Sequence, residues 1–333
     1  MDVATAQQRR SRHWRADVLR SSVRDLVLWL GEPACHERAR VGGKAATLSR
    51  LAAAYRVPPG FCLTTTAYAL TEASGLTREK ESLLPPDGGE EDSRSPGLPV
   101  ALYDALATAY RRLANRAGSE TPAVAVRSSA VDEDGGMASY AGQHETSLNI
   151  VGVEAVADAV VRCWRSAWSA RARAYRCAQG RARDDVQVAV LVQQLIVADS
   201  SAVLFSAHPV TGSRDEIVIN ASWGLGESIV GGTVTPDTYV VRKADVAVVS
   251  RQVAAKRRMT VAVPGGTREV DVPRFLRTHA TLTEEQAVEI AHLGLALEAT
   301  LGRPVDVECA YQAGRLYLLQ CRPITTLAGC RAS

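Results

Sequence analysis

The chain has 333 residues, with 39 Lys plus Arg against 36 Asp plus Glu, a formal net charge of +3, 46% hydrophobic residues and 23% charged residues. This is the composition of a globular protein, and it excludes a wholly disordered, fibrous or coiled-coil chain. Every apolar run is far shorter than the roughly 20 residues of a membrane-spanning helix, so we expect no membrane partner and a cytoplasmic location. Seven cysteines without zinc-ligand spacing favour free thiols. The arginine runs contain apolar residues and favour solvated faces over a nucleic-acid site.

The first half of the chain alternates short strands with amphipathic helices. The apolar patterns predict strands at residues 23–30, 61–65, 124–126 and 145–149, and helices after Gly42 and at 67–73, 100–117 and 153–179. Residues 77–99 are polar and rich in Pro, Gly and acidic side chains, which predicts a loop or a mobile insertion. We expect a first lobe at 38–185, preceded by an N-terminal arm and first strand at 1–37.

The second half of the chain is rich in strands. The patterns predict strands at 186–196, 201–205, 216–221, 238–242 and 246–252, a helix at 282–301 with Thr283 as its N-cap, and a hairpin of 305–311 with 316–320. We expect a β-rich second lobe at 186–326 and a tail at 327–333. The fold class is therefore predicted to be α+β.

Two segments of the first lobe have the chemistry of a phosphate site. Gly43 and Lys44 stand at a helix start, where backbone N–H groups and an ammonium group attract an anion. Arg127 leaves a strand end and is followed by two hydroxyls, the first on Ser128, which together offer several hydrogen-bond donors. A surface lysine and an ordinary turn with an Arg–Asp ion pair are the alternative interpretations.

Two segments of the second lobe add further candidates. Asp306 and Glu308 alternate on one predicted strand, and Gln320 and Arg322 alternate on the next, so a hairpin would bring the two pairs side by side. Carboxylate and amide oxygens beside a guanidinium suit a Mg²⁺–polyphosphate site, although a solvated salt-bridge ladder is the alternative. The strand end at residues 193–196 could offer backbone groups and an apolar wall to a purine, but taken alone the pattern favours a core strand.

Six ordered segments resemble the ATP-binding domain of the phosphoenolpyruvate synthase, pyruvate phosphate dikinase and rifampin phosphotransferase family. They read VGGKAATLSRL, VPPGFCLTTTAY, VAVRSSAVDEDGGMASYAGQHETSLNI, LFSAHPVTG, ASWGLGESIVGGTVTPDTYVV and VDVECAYQAGRLYLLQCRPITT. The resemblance covers roughly residues 38–326. It implies an ATP-grasp-like two-lobed nucleotide-binding fold, with ATP and Mg²⁺ held between the lobes.

The resemblance also implies roles for individual residues. Lys44 and Arg127 would hold ATP phosphates, and Arg322 would stabilise the transferring group. Glu308 and Gln320 would ligate Mg²⁺, with Asp306 beside them as a third metal residue. Around the nucleotide the resemblance places Gly43, Ser128, Gly142, Thr146, Gln193, Gln194 and Leu195.

Full-length relatives continue into a domain whose histidine carries the phosphoryl group, and into an acceptor domain. None of the six histidines here stands in that setting, and we interpret His144 and His208 as structural. We expect a phosphotransferase that acts on a small-molecule acceptor, such as an antibiotic or pyruvate. The alternatives are the ATP-binding half of a split dikinase that phosphorylates a histidine on a separate protein, an ATP-grasp ligase, and a non-catalytic nucleotide-binding module.

Overall fold

A computed structural model describes residues 25–73, 97–131, 146–169 and 187–324. The chain divides into two compact units. The described residues of the first unit are 25–49, 59–73, 97–131, 146–169 and 187–194, and those of the second are 50–58 and 195–324. The predicted tail at 327–333, most of the predicted arm and nearly all of the predicted 77–99 insertion lie outside the described residues.

The first unit contains a five-stranded antiparallel sheet in the order β1-β2-β5-β3-β4. Its strands are β1 (Val27–Trp29), β2 (Gly60–Leu63), β3 (Val124–Ala130), β4 (Thr146–Ile150) and β5 (Val188–Gln194). The sequence pattern assigned β5 to the second lobe, because it opens the strand-rich half of the chain. The register of β5 against both β2 and β3 instead makes it the central strand of the first sheet.

Among the described residues, four α-helices belong mainly to the first unit. They are α1 (Arg38–Leu51), α2 (Thr65–Ala73), α3 (Val100–Ala117) and α4 (Val153–Ser166). In α4 the residues Val156, Val160 and Trp164 recur every four positions, so they share one face of the helix, and all three are fully buried. Their core also contains Val126 and Val190 of the sheet. One face of the first sheet therefore packs against α4 through apolar side chains.

The second unit contains a six-stranded antiparallel sheet in the order β13-β12-β6-β7-β8-β9 and a separate hairpin, β10–β11. The strands are β6 (Ser200–Phe205), β7 (Glu216–Trp223), β8 (Asp237–Arg242), β9 (Ala247–Gln252), β10 (Arg258–Val263), β11 (Gly266–Asp271), β12 (Val305–Gln312) and β13 (Arg315–Pro323). The β10–β11 hairpin is absent from the sequence-based prediction, although Met259, Val261 and Val263 alternate along β10 as a strand pattern requires.

Two helices accompany this sheet, α5 (Glu227–Val230) and α6 (Glu284–Leu301). The predicted N-cap of α6 is confirmed: the Thr283 hydroxyl accepts from the backbone N–H of Gln286, whose side chain accepts in return from the backbone N–H of Thr283. In α6, Gly294 lies directly against the Leu204 side chain of β6. The residues of β6 on either side of Leu204 therefore point to the sheet face that α6 does not cover.

The α+β fold class predicted from the sequence is confirmed by these helices and sheets. None of the helices in the described ranges combines the length and the apolar character that crossing a bilayer requires.

Candidate functional site

The glycine loop of the first unit packs directly on β3. Helix α1 is interrupted at Gly42, whose φ of 75° and ψ of 173° lie outside the helical region. A Cβ atom at this position would lie 2.1 Å from the backbone oxygen of Ser129, so only glycine fits. The backbone N–H of Ala45 donates to the Ser129 hydroxyl at 3.2 Å. The loop and the strand are thus fastened together at the start of the second helical segment.

Lys44 joins the two predicted phosphate segments. Its Nζ atom donates to the backbone oxygen of Ser128 at 3.2 Å. Arg38, at the start of α1, donates from Nε to the backbone oxygen of Val131 at 2.6 Å, just beyond the end of β3. The structure therefore brings Lys44 next to the strand that carries Arg127. Sequence reasoning assigned no role to Arg38, and it counted Ser129 only as the second of the two hydroxyls that follow Arg127.

The side chain of Ser128 does not belong to this cluster. Successive residues of a strand point to opposite faces, and Val126 and Ala130 of β3 belong to the apolar core of the first unit. Ser128 lies between them and is completely buried. Its hydroxyl has no hydrogen-bond partner among the described residues. Phosphate binding by this hydroxyl stays a prediction, and in the structure only the backbone oxygen of Ser128 reaches Lys44.

Two predicted nucleotide residues share the other face of the first sheet with Arg127. Arg127 stands directly opposite Thr146 in β4 and Leu191 in β5. Gln193 follows Leu191 by two positions, so its side chain points to the same face, where it is 2% exposed. Guanidinium, hydroxyl and amide groups therefore converge on the sheet face opposite the helical core.

The remaining predicted nucleotide residues lie at or beyond the end of β5. The backbone N–H of Gln194 donates to the backbone oxygen of Pro59 at 2.9 Å, which closes the end of the strand. Leu195 follows as the first residue of that stretch of the second unit and is half-buried. Gly142 lies outside the described residues.

In the second unit the two predicted pairs, Asp306 with Glu308 on β12 and Gln320 with Arg322 on β13, lie side by side. Asp306 is directly opposite Arg322, and Glu308 is directly opposite Gln320. The Nε and Nη2 atoms of Arg322 both lie 2.8 Å from Oδ2 of Asp306. The Gln320 amide nitrogen donates to Oε1 of Glu308 at 3.2 Å. These four side chains form one charged cluster on the face away from α6.

This pairing depends on a β-bulge. The turn at Ala313 and Gly314, both with positive φ, opposes Gln312 to Arg315 and Cys309 to Leu318. Continued regularly, the ladder would place Leu319 opposite Glu308. The register instead shifts between Glu308 and Cys309, so that Leu319 is the extra residue and Gln320 becomes the partner of Glu308.

The Asp306 carboxylate is paired with Arg322, and among the described residues it is not part of a group of metal-ligating side chains. Burial raises the pKa of the Asp306 carboxyl above its usual range, while Arg322 acts to lower it and Glu308 to raise it. Across the described ranges, no group of three or more His, Cys, Asp or Glu side chains is placed to hold a metal ion. A Mg²⁺ ion at Glu308 would therefore need an amide, water or phosphate oxygens to complete its coordination.

Comparisons with known proteins extend over nearly the whole chain. Residues 38–332 match the family model described as "Pyruvate phosphate dikinase, AMP/ATP-binding domain". The chain is 38% identical over 317 residues to a probable phosphoenolpyruvate synthase of Methanocaldococcus jannaschii, covering 90% of this chain and 27% of that protein. It is 36% identical over 357 residues to the phosphoenolpyruvate synthase of Pyrococcus furiosus, covering 90% and 44%.

A rifampicin phosphotransferase of Streptomyces sviceus is 41% identical over 300 residues, covering 86% of this chain and 34% of that protein. The chain thus spans between about a quarter and under half of the length of these three relatives.

Proposed function

This chain belongs to the family of pyruvate phosphate dikinase AMP/ATP-binding domains, and on that premise we propose that it binds ATP with Mg²⁺ and transfers a phosphoryl group to a small-molecule acceptor. The observation that carries the proposal is the charged cluster of Asp306, Glu308, Gln320 and Arg322 on one sheet face. The names of the relatives make rifampicin and pyruvate the first acceptors to test.

The residues of the first unit fit the phosphates of ATP. Gly42 has no Cβ, so the loop approaches β3 closely, and backbone N–H groups at the helix start that follows it would attract an anion. Lys44 and Arg127 supply the cationic groups that would bind phosphate oxygens. The contact of Lys44 with the Ser128 backbone oxygen keeps its ammonium beside the strand that carries Arg127.

The residues of the second unit fit Mg²⁺ and the transferring group. Glu308 and Gln320 carry the carboxylate and amide oxygens that Mg²⁺ prefers. When bound, Mg²⁺ neutralises phosphate charge that would otherwise oppose transfer. Asp306 orients Arg322 through two short hydrogen bonds to one oxygen. We therefore assign Asp306 to positioning Arg322, which donates to the transferring phosphoryl group, rather than to the metal.

Thermal melting of the whole chain tests the proposal. We expect Mg-ATP to raise the melting temperature, because a ligand at 100 times its dissociation constant stabilises the folded state by about 2.7 kcal/mol. The variant Lys44→Ala should lose most of this shift. Lys243→Ala is the matched control, since Lys243 pairs with Glu298 in the second unit at 2.6 Å and has no proposed role. Folded wild-type chain that shows no shift in millimolar Mg-ATP would contradict the proposal.

A further inference from the structure

A continuous row of directly opposed residues crosses the six-stranded sheet through Glu308. The register of the strands places, in spatial order, Gln320, Glu308, Val203, Asn220, Thr238 and Gln252 side by side. Directly opposed residues of antiparallel strands point to the same face. Val203 precedes Leu204, which packs against α6, so this is the face that α6 leaves uncovered. Beyond Val203, the same face of the sheet therefore carries three more polar residues of this row, Asn220, Thr238 and Gln252.

The amide of Asn220 has a fixed orientation. The Thr238 hydroxyl donates to Oδ1 of Asn220 at 3.0 Å, and in the part of the chain that the structure describes this is the only hydrogen bond of the Asn220 side chain. Because the amide oxygen is held by Thr238, the amide N–H groups are turned away from that hydroxyl. Asn220 is half-buried, and its nitrogen is not among the buried atoms without a partner, so these donors are accessible.

An apolar floor separates Asn220 from the charged cluster. Val203 lies between Glu308 and Asn220 in the row and is 9% exposed. In the neighbouring row on the same face, Phe205 stands opposite Val218, which is 5% exposed. An apolar surface with a small number of fixed polar groups is typical of small-molecule binding sites. The face therefore offers charge at one side, an apolar floor, and a neutral amide donor at the other.

The chemistry of Asn220 and Thr238 selects the part of a nucleotide that they can bind. Both side chains are neutral, so they suit a hydroxyl group better than a phosphate. Asn220 is two strands away from Glu308, a separation of ~10 Å at the usual strand spacing. A nucleoside triphosphate has its sugar hydroxyls at a comparable distance from its terminal phosphates.

We propose that Asn220, oriented by Thr238, binds a ribose hydroxyl of the nucleotide. This inference rests on the proposed function, in which the terminal phosphates of ATP lie at Glu308 and Arg322. Asn220 then contributes to binding and to selection of the ribonucleotide, and it takes no part in the transfer itself.

Equilibrium binding of ATP, 2′-deoxy-ATP and 3′-deoxy-ATP, each with Mg²⁺, tests this inference on the full chain. We expect wild-type protein to bind one of the two deoxynucleotides about 3- to 10-fold more weakly than ATP, the range of a single hydrogen bond. Asn220→Ala should bind ATP and that deoxynucleotide equally. Thr238→Val, which removes the hydroxyl that orients the amide, should reduce the discrimination, and Thr238→Ser should retain it. Gln252→Ala, at the sheet edge in the same row, should behave as wild type.

The outcomes separate this inference from the proposed function. Wild-type chain that binds ATP but does not discriminate against either deoxynucleotide overturns the inference alone. A folded Asn220→Ala variant that still discriminates between ATP and the deoxynucleotide as the wild type does also overturns the inference. In that case Thr238→Val should leave this discrimination unchanged as well. Folded wild-type chain that binds no ATP overturns the proposed function and this inference with it.

Discussion

At Ser128 and Ser129, two identical side chains have opposite environments. The hydroxyl of Ser129 accepts a hydrogen bond from the backbone N–H of Ala45, and this bond joins the glycine loop to β3. The hydroxyl of Ser128 is buried on the apolar side of the same strand without a partner among the described residues. The period of two residues in a strand produces this difference. We therefore expect the Ser129 hydroxyl, and not that of Ser128, to support a phosphate site.

Alanine substitutions at these two serines should have opposite consequences. Ser128→Ala removes a buried donor whose missing partner costs about 1–3 kcal/mol, so we expect unchanged or higher stability and unchanged ATP affinity. Ser129→Ala removes the acceptor at a helix start, which should cost about 1 kcal/mol and weaken ATP binding. Urea denaturation with and without Mg-ATP measures both effects. If Ser128→Ala bound ATP more weakly than Ser129→Ala, the result would contradict this expectation and would indicate that the Ser128 hydroxyl contacts ATP.

At the scale of elements, a buried ion pair joins three segments of the second unit. Nζ of Lys256 lies 2.5 Å from Oδ1 of Asp237, and both side chains are completely inaccessible. Asp237 is the first residue of β8, and Lys256 lies in the connection between β9 and β10. The other oxygen of Asp237 accepts from the backbone N–H and the hydroxyl of Thr281, which precedes α6. A single carboxylate thus holds β8, this connection and the approach to α6 together.

Removing the lysine of this pair should destabilise the chain strongly. Lys256→Met leaves the Asp237 carboxylate buried without its counter-ion, which typically costs about 3–5 kcal/mol. The matched control is Arg242→Ala, because Arg242 pairs with Asp245 at 2.7 Å with both side chains about half exposed. Such exposed pairs contribute about 0–1 kcal/mol. The comparison is made by urea denaturation, and equal losses in the two variants would contradict a structural role for the buried pair.

At the scale of the whole molecule, the proposed function requires an acceptor for the phosphoryl group. The chain covers only 27% to 44% of the length of three relatives. It nevertheless carries both the cationic residues Lys44 and Arg127 and the charged cluster with Glu308 and Arg322. All the groups that the proposed function assigns to ATP are therefore present in this chain.

We expect the chain to consume ATP and phosphorylate a small molecule without a second protein. The measurement is nucleotide and acceptor product analysis with rifampicin and with pyruvate. Arg322→Ala should lower the rate about 10³- to 10⁵-fold, as for other arginines that stabilise transferring phosphoryl groups, while melting as the wild type does. Turnover that begins only when a histidine-domain protein is added would instead support a split dikinase.

The family, the α+β class and most of the helices and strands could be predicted from the amino-acid sequence. Apolar periodicity located α6, and the hydroxyl residue before it, Thr283, was identified as its N-cap. Alternation along each strand put Asp306 with Glu308, and Gln320 with Arg322. These features depend on residues close together in the chain, so local pattern suffices to predict them. The same alternation places the Ser128 side chain on the buried face of β3, away from Arg127.

Tertiary structure decided the features that depend on distant partners. Strand β5 belongs to the first sheet because it pairs with β2 on one side and with β3 on the other. Nothing in its own residues distinguishes that sheet from the second. The two-residue turn at Ala313 and Gly314 would by itself oppose Glu308 to Leu319, and only the bulge brings Gln320 there. The row that joins Glu308 to Asn220 likewise exists only once three strands, β12, β6 and β7, have paired. Register between strands is a property of their pairing, and no single segment contains it.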